Sequence, residues 1–106
     1  MNEYKIVYSP AALDDLEAVY EYIAFTLTAP STAKKQVDRI RSRIRSLNSM
    51  PERFVRVEWE PWFSMSIRKT VVDRYLIFYL VKPEDNSVVI LRIIYGGRNI
   101  EDELKK

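Results

Sequence analysis

The spacing of apolar residues changes at Met50-Pro51, and this change limits the folds that the chain can adopt. Before this point, apolar residues recur every three or four positions, as they do along one side of an α-helix. After it they form short runs, as they do in β-strands. A chain that uses both periods in separate blocks is predicted to fold as an α+β domain.

The first half of the chain predicts two amphipathic helices. Ser9-Pro10 supplies an N-cap and a proline for the first helical position, and Pro30-Ser31 breaks the pattern before a second helix that runs to about Asn48. Two helices joined by so few residues are expected to form an antiparallel hairpin. The predicted apolar stripes are Leu13, Leu16, Tyr20, Ile23 and Leu27 on the first helix, and Ala33, Val37, Ile40, Ile44 and Leu47 on the second.

Strands are predicted on both sides of the hairpin. The residues from Pro83 to Asn86 suit a turn between the last two strands. The last strand, VVILRIIY, is apolar on both faces apart from Arg92, as in a central strand covered on both sides. The predicted strands are residues 4–8 before the helices and about 67–72, 75–81 and 88–95 after them.

These elements together predict an α+β fold. An N-terminal strand and an antiparallel helical hairpin precede three antiparallel strands, and the helices pack on one face of the small sheet. The aromatic and charged segment 52–66 is expected to cover part of the other face. With 106 residues, the chain is predicted to form one domain over residues 1–106.

The composition excludes several kinds of chemistry. The chain has no Cys and no His, so thiol nucleophiles, imidazole bases and thiolate metal sites are excluded. Any catalysis must use Arg, Lys, Glu, Asp or Tyr, and neither a metal site nor a cofactor is predicted. No apolar run of about 18 residues and no secretion signal is found, so we predict a cytoplasmic protein without a membrane span.

Charge is unevenly distributed between the two predicted helices. The first helix carries a group of acids, and the second is strongly basic. The basic helix could contact ribosomal RNA, or it could pair with the acidic first helix. The residues concerned are Asp14, Asp15, Glu17 and Glu21 on the first helix, and Lys34, Lys35, Arg39, Arg41, Arg43 and Arg45 on the second.

Four stretches of the chain resemble toxins of the RelE/ParE superfamily. They are YKIVYSPAALDDLEAVYEYI, SLNSMPERF, IRKTVVDRYLIFYLV and ILRIIYGGRN, and their order and spacing cover almost the whole chain. The resemblance implies a compact bacterial toxin that is neutralised by a cognate antitoxin, a small acidic protein encoded beside it. It also implies one of two targets, since some members cut mRNA on the ribosome and others inhibit DNA gyrase.

The resemblance also indicates candidate catalytic residues for RNA cleavage. In such a reaction the 2′-hydroxyl of the substrate attacks the adjacent phosphate, so the protein supplies cations and an acid–base pair. Arg98, in Tyr95-Gly96-Gly97-Arg98, matches an arginine of the nucleases, and Tyr95 lies where many members carry His or another polar residue. Leu76 occupies the position of a second family arginine, for which Arg74 is a possible substitute. Leu104 lies near the position of a missing family tyrosine.

Further candidates lie in and before the last strands. Arg68 and Lys69 are candidate substrate-binding residues that face opposite ways because they are neighbours on a strand. Glu60 is the candidate carboxylate base. Arg92 is expected to point to the open face of the sheet and either to contact phosphate or to pair with an acid such as Glu58 or Glu60.

The segment WEPW has two interpretations. Trp59 and Trp62 could stack on bases, or they could form a lid that packs on the sheet, and the lid is the more common arrangement.

The sequence therefore leaves two mechanisms open. The first is a ribosome-dependent, metal-independent mRNA endoribonuclease, which Arg98, Tyr95 and the basic stretch permit and which we favour narrowly. The second is a ParE-like toxin that inhibits DNA gyrase by protein binding, without catalysis of its own. The missing histidine and Leu76 in place of arginine favour the second.

Overall fold

The computed structural model describes residues 3–96 and has the predicted α+β architecture. Each predicted strand agrees with the structure to within one residue at each end. A π-helical turn at Tyr22–Thr26 follows the first helix, and short 3₁₀ turns lie at Pro51–Arg53 and Pro83–Asp85. The main elements are β1 (Lys5–Tyr8), α1 (Pro10–Glu21), α2 (Pro30–Ser46), β2 (Arg68–Val72), β3 (Tyr75–Lys82) and β4 (Ser87–Tyr95).

The four strands form one mixed sheet in the order β1-β4-β3-β2. The β2–β3 and β3–β4 pairs are antiparallel, as predicted, whereas β1 pairs with β4 in parallel. Strand β4 is therefore central, which agrees with its apolar residues on both faces. The register between β3 and β4 shifts between Phe78 and Tyr79, because Phe78 lies opposite Arg92 and Tyr79 lies opposite Ile90.

The main apolar core lies between the helices and one face of the sheet. On α2 the predicted stripe is confirmed, since all of its residues are buried except Val37, which is half-buried.

On α1 the predicted stripe was wrong at three positions. Leu13, Tyr20 and Leu27 are 49%, 37% and 53% exposed, respectively. Leu16 and Ile23 are buried as predicted, and the other residues that face the core are the smaller Ala12 and Val19. Small side chains suit this face because α1 packs against both α2 and β4.

The other face of the sheet carries a second apolar cluster. Its buried residues include Phe78, against which the rings of Trp59 and Trp62 pack edge-on with centroid distances of 6.3 and 5.2 Å. The indoles thus form the predicted lid, and segment 52–66 covers part of this face. The buried members of the cluster are Val57, Ile67, Phe78 and Ile94.

Helix α1 begins where β1 ends, and it continues the contacts of β1 along the edge of β4. The backbone N–H of Ser9 donates to the Ile90 carbonyl at 2.9 Å. The Ser9 hydroxyl accepts from the N–H of Ala12, as an N-cap does, and donates to the Leu91 carbonyl at 2.9 Å. No described helix is long and apolar enough to span a membrane.

Candidate functional site

A cleft of about 850 Å³ opens between the helices and the end of the sheet where β4 finishes. One wall comes from α1, the π-helical turn and the start of α2. The other comes from the β2–β3 turn and the last residues of β4. Its lining includes the apolar side chains Val19, Tyr22, Ile23, Leu27 and Ile93, and the polar side chains Asp15, Arg39, Asp73, Arg74, Arg92 and Tyr95.

Two predicted catalytic residues, Arg74 and Tyr95, lie together in this cleft. Arg74 occupies the exposed β2–β3 turn and hydrogen-bonds through its side chain with the Tyr95 hydroxyl, and this contact raises the pKa of Arg74. The ring of Tyr95 packs edge-on against its strand neighbour Tyr75 with centroids 5.6 Å apart. Arg74 is therefore cationic at every physiological pH and held beside an aromatic hydroxyl.

The backbone at Gly96 fixes the distance between the end of β4 and the β2–β3 turn. Its N–H donates to the Arg74 carbonyl at 2.7 Å. A Cβ at this position would lie 3.2 Å from the same oxygen, which is tighter than most real contacts, so glycine permits this close approach.

Arg92 also lines the cleft, but its carboxylate partner differs from the prediction. Its guanidinium binds Asp15 of α1 with distances of 2.7 and 3.1 Å, so Arg92 does pair with an acid, but this acid is Asp15 and not Glu58 or Glu60. Asp15 lies beside β4 just past the end of β1, and its carboxylate also accepts the Ile93 N–H at 2.9 Å. The helix thus supplies a carboxylate on the side from which a strand would otherwise continue.

A second ion pair fixes the opposite rim of the cleft. The Arg39 guanidinium lies 2.7 Å from the Asp73 carboxylate, and the Gln36 amide donates to the same oxygen at 2.9 Å. These two contacts lower the pKa of Asp73, so this carboxylate stays ionised at neutral pH.

The remaining candidates within the described residues lie outside the lining of the cleft. Glu60 accepts hydrogen bonds from the N–H and hydroxyl of Ser64 at 2.8 and 2.6 Å, and these bonds lower the pKa of Glu60. Arg68 donates to the Phe54 carbonyl at 2.7 Å, whereas the Lys69 ammonium lies over the Trp59 ring at 5.7 Å. The two bases therefore face opposite ways, as predicted, while Arg98 lies outside the described residues.

Sequence reasoning did not select Asp15, Arg39 or Asp73 for the site. The acidic residues of the first helix and the basic residues of the second were evident in the sequence. One of the two expectations for them was that they would pair with each other. The structure instead joins Asp15 to Arg92 of β4 and Arg39 to Asp73 in the β2–β3 turn. Residues 3–96 contain no group of three or more acids that could hold a metal ion.

Comparison with known proteins shows to which family the chain belongs. Residues 6–100 match the model of a family described as the ParE toxin of the type II toxin–antitoxin system parDE. The chain belongs to the ParE toxin family. The wider RelE/ParE resemblance of the sequence is thereby confirmed. None of the curated proteins matches the chain.

Solved structures share the ParE-family fold at low sequence identity. The chromosomal ParDE system of P. aeruginosa matches with a TM-score of 0.74 at 21% identity, over 90% of this chain and 98% of that one. The RelBE2 complex of Mycobacterium tuberculosis matches with a TM-score of 0.64 at 19% identity, over 90% of this chain and 93% of that one. The RelE–RelB complex of Pyrococcus horikoshii OT3 matches with a TM-score of 0.63 at 17% identity, over 92% of this chain and 99% of that one.

In this ParE-family chain, Leu76 packs with the second apolar cluster, on the face that the tryptophan lid covers. At this position the resemblance to the nucleases implies an arginine. The structure therefore has an aliphatic contact where a phosphate-binding cation would be expected.

Proposed function

We propose that this toxin arrests growth by binding DNA gyrase, without cutting RNA itself. The observation that carries the proposal is the position of Leu76. It packs against the cluster that contains Phe78 and Ile94, on the same face of the sheet as Trp59 and Trp62. An aliphatic side chain cannot stabilise the charge that develops on a phosphate during RNA cleavage.

The chemistry of Glu60 supports the same proposal. A general base works best when its pKa is near the working pH, which for a carboxylate requires a raised value. The hydrogen bonds from Ser64 have the opposite effect on Glu60. Glu60 also does not line the cleft that holds Arg74 and Tyr95, so these three residues do not form one catalytic group.

A cognate antitoxin is part of this proposal. The solved structures with similar folds include a ParDE system and RelBE and RelE–RelB complexes. We expect the partner to be a small acidic protein encoded by a neighbouring gene, because toxins of this kind are encoded beside their inhibitor.

A ribosome-dependent endoribonuclease is the second candidate. The contact between Arg74 and the Tyr95 hydroxyl favours it, because a cation beside a phenol can bind phosphate and assist proton transfer. In sequence, Arg98 follows Gly96 by two residues.

Two assays on the same purified toxin separate these mechanisms. DNA supercoiling by gyrase should be inhibited in proportion to the toxin added, while mRNA in a translating ribosome mixture should stay intact. Toxin kept in complex with its antitoxin is the control and should inhibit neither process. Cleaved mRNA together with fully active gyrase would replace the first proposal by the second.

Expression in a bacterial host tests the toxin assignment separately. We expect growth to stop when the chain is expressed alone and to resume when the neighbouring small gene is co-expressed. Normal growth in the presence of abundant folded protein would contradict a toxic activity.

A further inference from the structure

Helix α2 carries two pairs of arginines on different sides. Arg39 and Arg43, one turn apart, bind the β2–β3 turn and β2 through their guanidinium groups. Arg41 and Arg45 are each two positions further along, about 200° around the helix, so they point away from β2. They lie near Tyr8 of β1, since burial raises the pKa of Tyr8 and the charges of these two arginines oppose that rise. One pair therefore fastens the helix to the sheet, and the other does not.

The second pair belongs to an exposed surface that we call the α2 basic face, defined by Lys35, Arg41 and Arg45. All three side chains are exposed. Among the residues that the structure describes, none of the three lies within ion-pair distance of a carboxylate. Asp38, the only acid in the sequence of α2, is bound by Lys34 at 3.0 Å. The positive charge of the face is therefore not neutralised within the described chain, although like charges one turn apart lower the stability of a helix.

The α2 basic face also lacks apolar anchors. Within residues 3–96, the large apolar side chains that are exposed lie before Thr28 or after Ser49, and none lies on α2. Hydroxyl groups such as that of Ser42 accompany the cations instead. Interfaces with proteins usually have an apolar or aromatic centre, whereas interfaces with DNA are polar and strongly positive. Charge without apolar anchors favours a nucleic acid over an acidic protein as the ligand of this face.

The outer face of α1 has the opposite charge. Asp14, Glu17 and Glu21 are exposed there, and the contact with Glu21 together with the nearby Asp14 raises the pKa of Glu17. A polyanion is repelled by this acidic face and attracted by the α2 basic face. The two helices therefore orient the molecule so that α2 approaches the phosphates.

We propose that the α2 basic face binds the phosphate backbone of duplex DNA, the segment that gyrase holds when the toxin binds. The choice of DNA rests on the proposed function, because gyrase acts on duplex DNA. Lys35 and Arg45 are ten positions apart, about 15 Å along the helix axis. B-DNA carries one charge per about 1.7 Å, so a face of this length meets enough phosphates for all three cations. Contacts to phosphates do not read bases, so binding is expected to be independent of sequence.

The dependence of DNA binding on salt tests the proposal without gyrase. The probe is a fluorescein-labelled duplex of about 20 base pairs, titrated with the purified toxin in fluorescence anisotropy at about 50 and 200 mM salt. Three phosphate contacts predict a slope of log K against log salt concentration of about −2.7, which is about a fortyfold loss of affinity over this range. Arg41→Gln/Arg45→Gln removes two contacts, so its slope should be about −0.9 and its loss about three- to fourfold.

Two further variants separate a local contact from net charge. Lys5→Gln/Lys82→Gln is the matched control, because it also removes two positive charges, but from β1 and β3. Its salt slope should stay close to that of the wild type. Arg41→Lys/Arg45→Lys keeps both charges and should bind as the wild type does, since a lysine also binds phosphate as a point charge. Thermal unfolding of all variants checks that each is folded.

Four outcomes would overturn the proposal. They are equal salt slopes for Arg41→Gln/Arg45→Gln and the lysine control, no duplex binding by the wild type at the lower salt concentration, binding of single-stranded RNA but not of the duplex, and weaker antitoxin binding by Arg41→Gln/Arg45→Gln with unchanged duplex binding. The supercoiling assay is read separately. Active gyrase together with duplex binding that depends on Arg41 and Arg45 would reject the gyrase mechanism and retain the DNA surface. Inhibited gyrase without duplex binding would do the reverse.

Discussion

Tyr79 shows how a single polar group can be accommodated in the core. It is fully buried, and its hydroxyl donates to the Pro51 carbonyl at 2.6 Å. This bond joins β3 to the 3₁₀ turn that follows α2. Burial raises the pKa of Tyr79 to about 12, so the side chain stays neutral through the physiological range.

Tyr79→Phe should lower the free energy of unfolding by about 1–2 kcal/mol at pH 7, because it leaves a buried carbonyl without its donor. The loss of stability at alkaline pH should also become smaller in this variant. The folded-state pKa of Tyr79 is raised, so its contribution is complete below the unfolded pKa of about 10 and is lost as the pH rises toward about 12. Urea unfolding from pH 8 to pH 11.5 measures both effects. An equally steep alkaline loss in the variant would contradict this role for Tyr79.

At the scale of single residues, the sequence predicted some contacts and missed others. The tryptophan lid was predictable because aromatic residues near a strand usually pack on the sheet. The partner of Arg92 was not, because Asp15 is 77 positions away and only the parallel pairing of β1 with β4 brings α1 to that edge. The pairing of Arg39 with Asp73 likewise depends on how α2 crosses the sheet.

At the scale of elements, α1 is both a core helix and the continuation of a sheet edge. Strand β1 has only four residues, and beyond Tyr8 the edge of β4 is contacted by Ser9 and Asp15. The Asp15 carboxylate holds two groups of β4, the Arg92 guanidinium and the Ile93 N–H. The junction between helix and sheet is therefore held by a partly buried carboxylate as well as by Ser9.

Asp15→Ala should lower the free energy of unfolding by about 2 kcal/mol, because a partly buried cation and an N–H both lose their acceptor. Asp14→Ala is the matched control. Asp14 is exposed and contributes to the repulsion on the outer face of α1, so its removal should change stability by less than about 0.5 kcal/mol. Chemical denaturation of both variants at neutral pH makes the comparison. Equal free energies of unfolding would show that Asp15 does not stabilise the packing of α1 against β4.

The positions of the helices and strands were more predictable than which face of each helix is buried. Strand boundaries followed from apolar alternation and turn residues, and they agree with the structure. The buried face of α1 did not follow, because Leu13 and Tyr20 fit a helical period as well as Ala12 and Val19 do. Only packing against α2 and β4 decides between the two sets.

At the scale of the whole molecule, one sheet supports two apolar clusters of different kinds. The helix face carries the main core, and the opposite face carries a small cluster closed by the segment with Trp59 and Trp62. The candidate site residues are divided in the same way. Arg74, Tyr95 and Arg92 line the cleft, whereas Lys69 lies against the tryptophan lid.

The lid can be tested through Trp62, whose ring is the nearer of the two to Phe78. Trp62→Ala should lower the free energy of unfolding by about 2 kcal/mol, less than for a fully buried Trp because Trp62 is half-buried. Phe63→Ala is the control, since Phe63 is 44% exposed and lies beneath the Arg56 guanidinium rather than in the cluster. Its cost should be clearly smaller in the same urea titration.

The Trp62 variant also bears on mechanism, because it opens the face on which the resemblance implies a catalytic arginine. Under the gyrase proposal, opening this face exposes Phe78 and Leu76 but places no arginine at the position of Leu76, so no mRNA cleavage should arise. New ribosome-dependent cleavage by Trp62→Ala would instead mean that the lid conceals a nuclease surface, and the protein-binding mechanism would then be wrong.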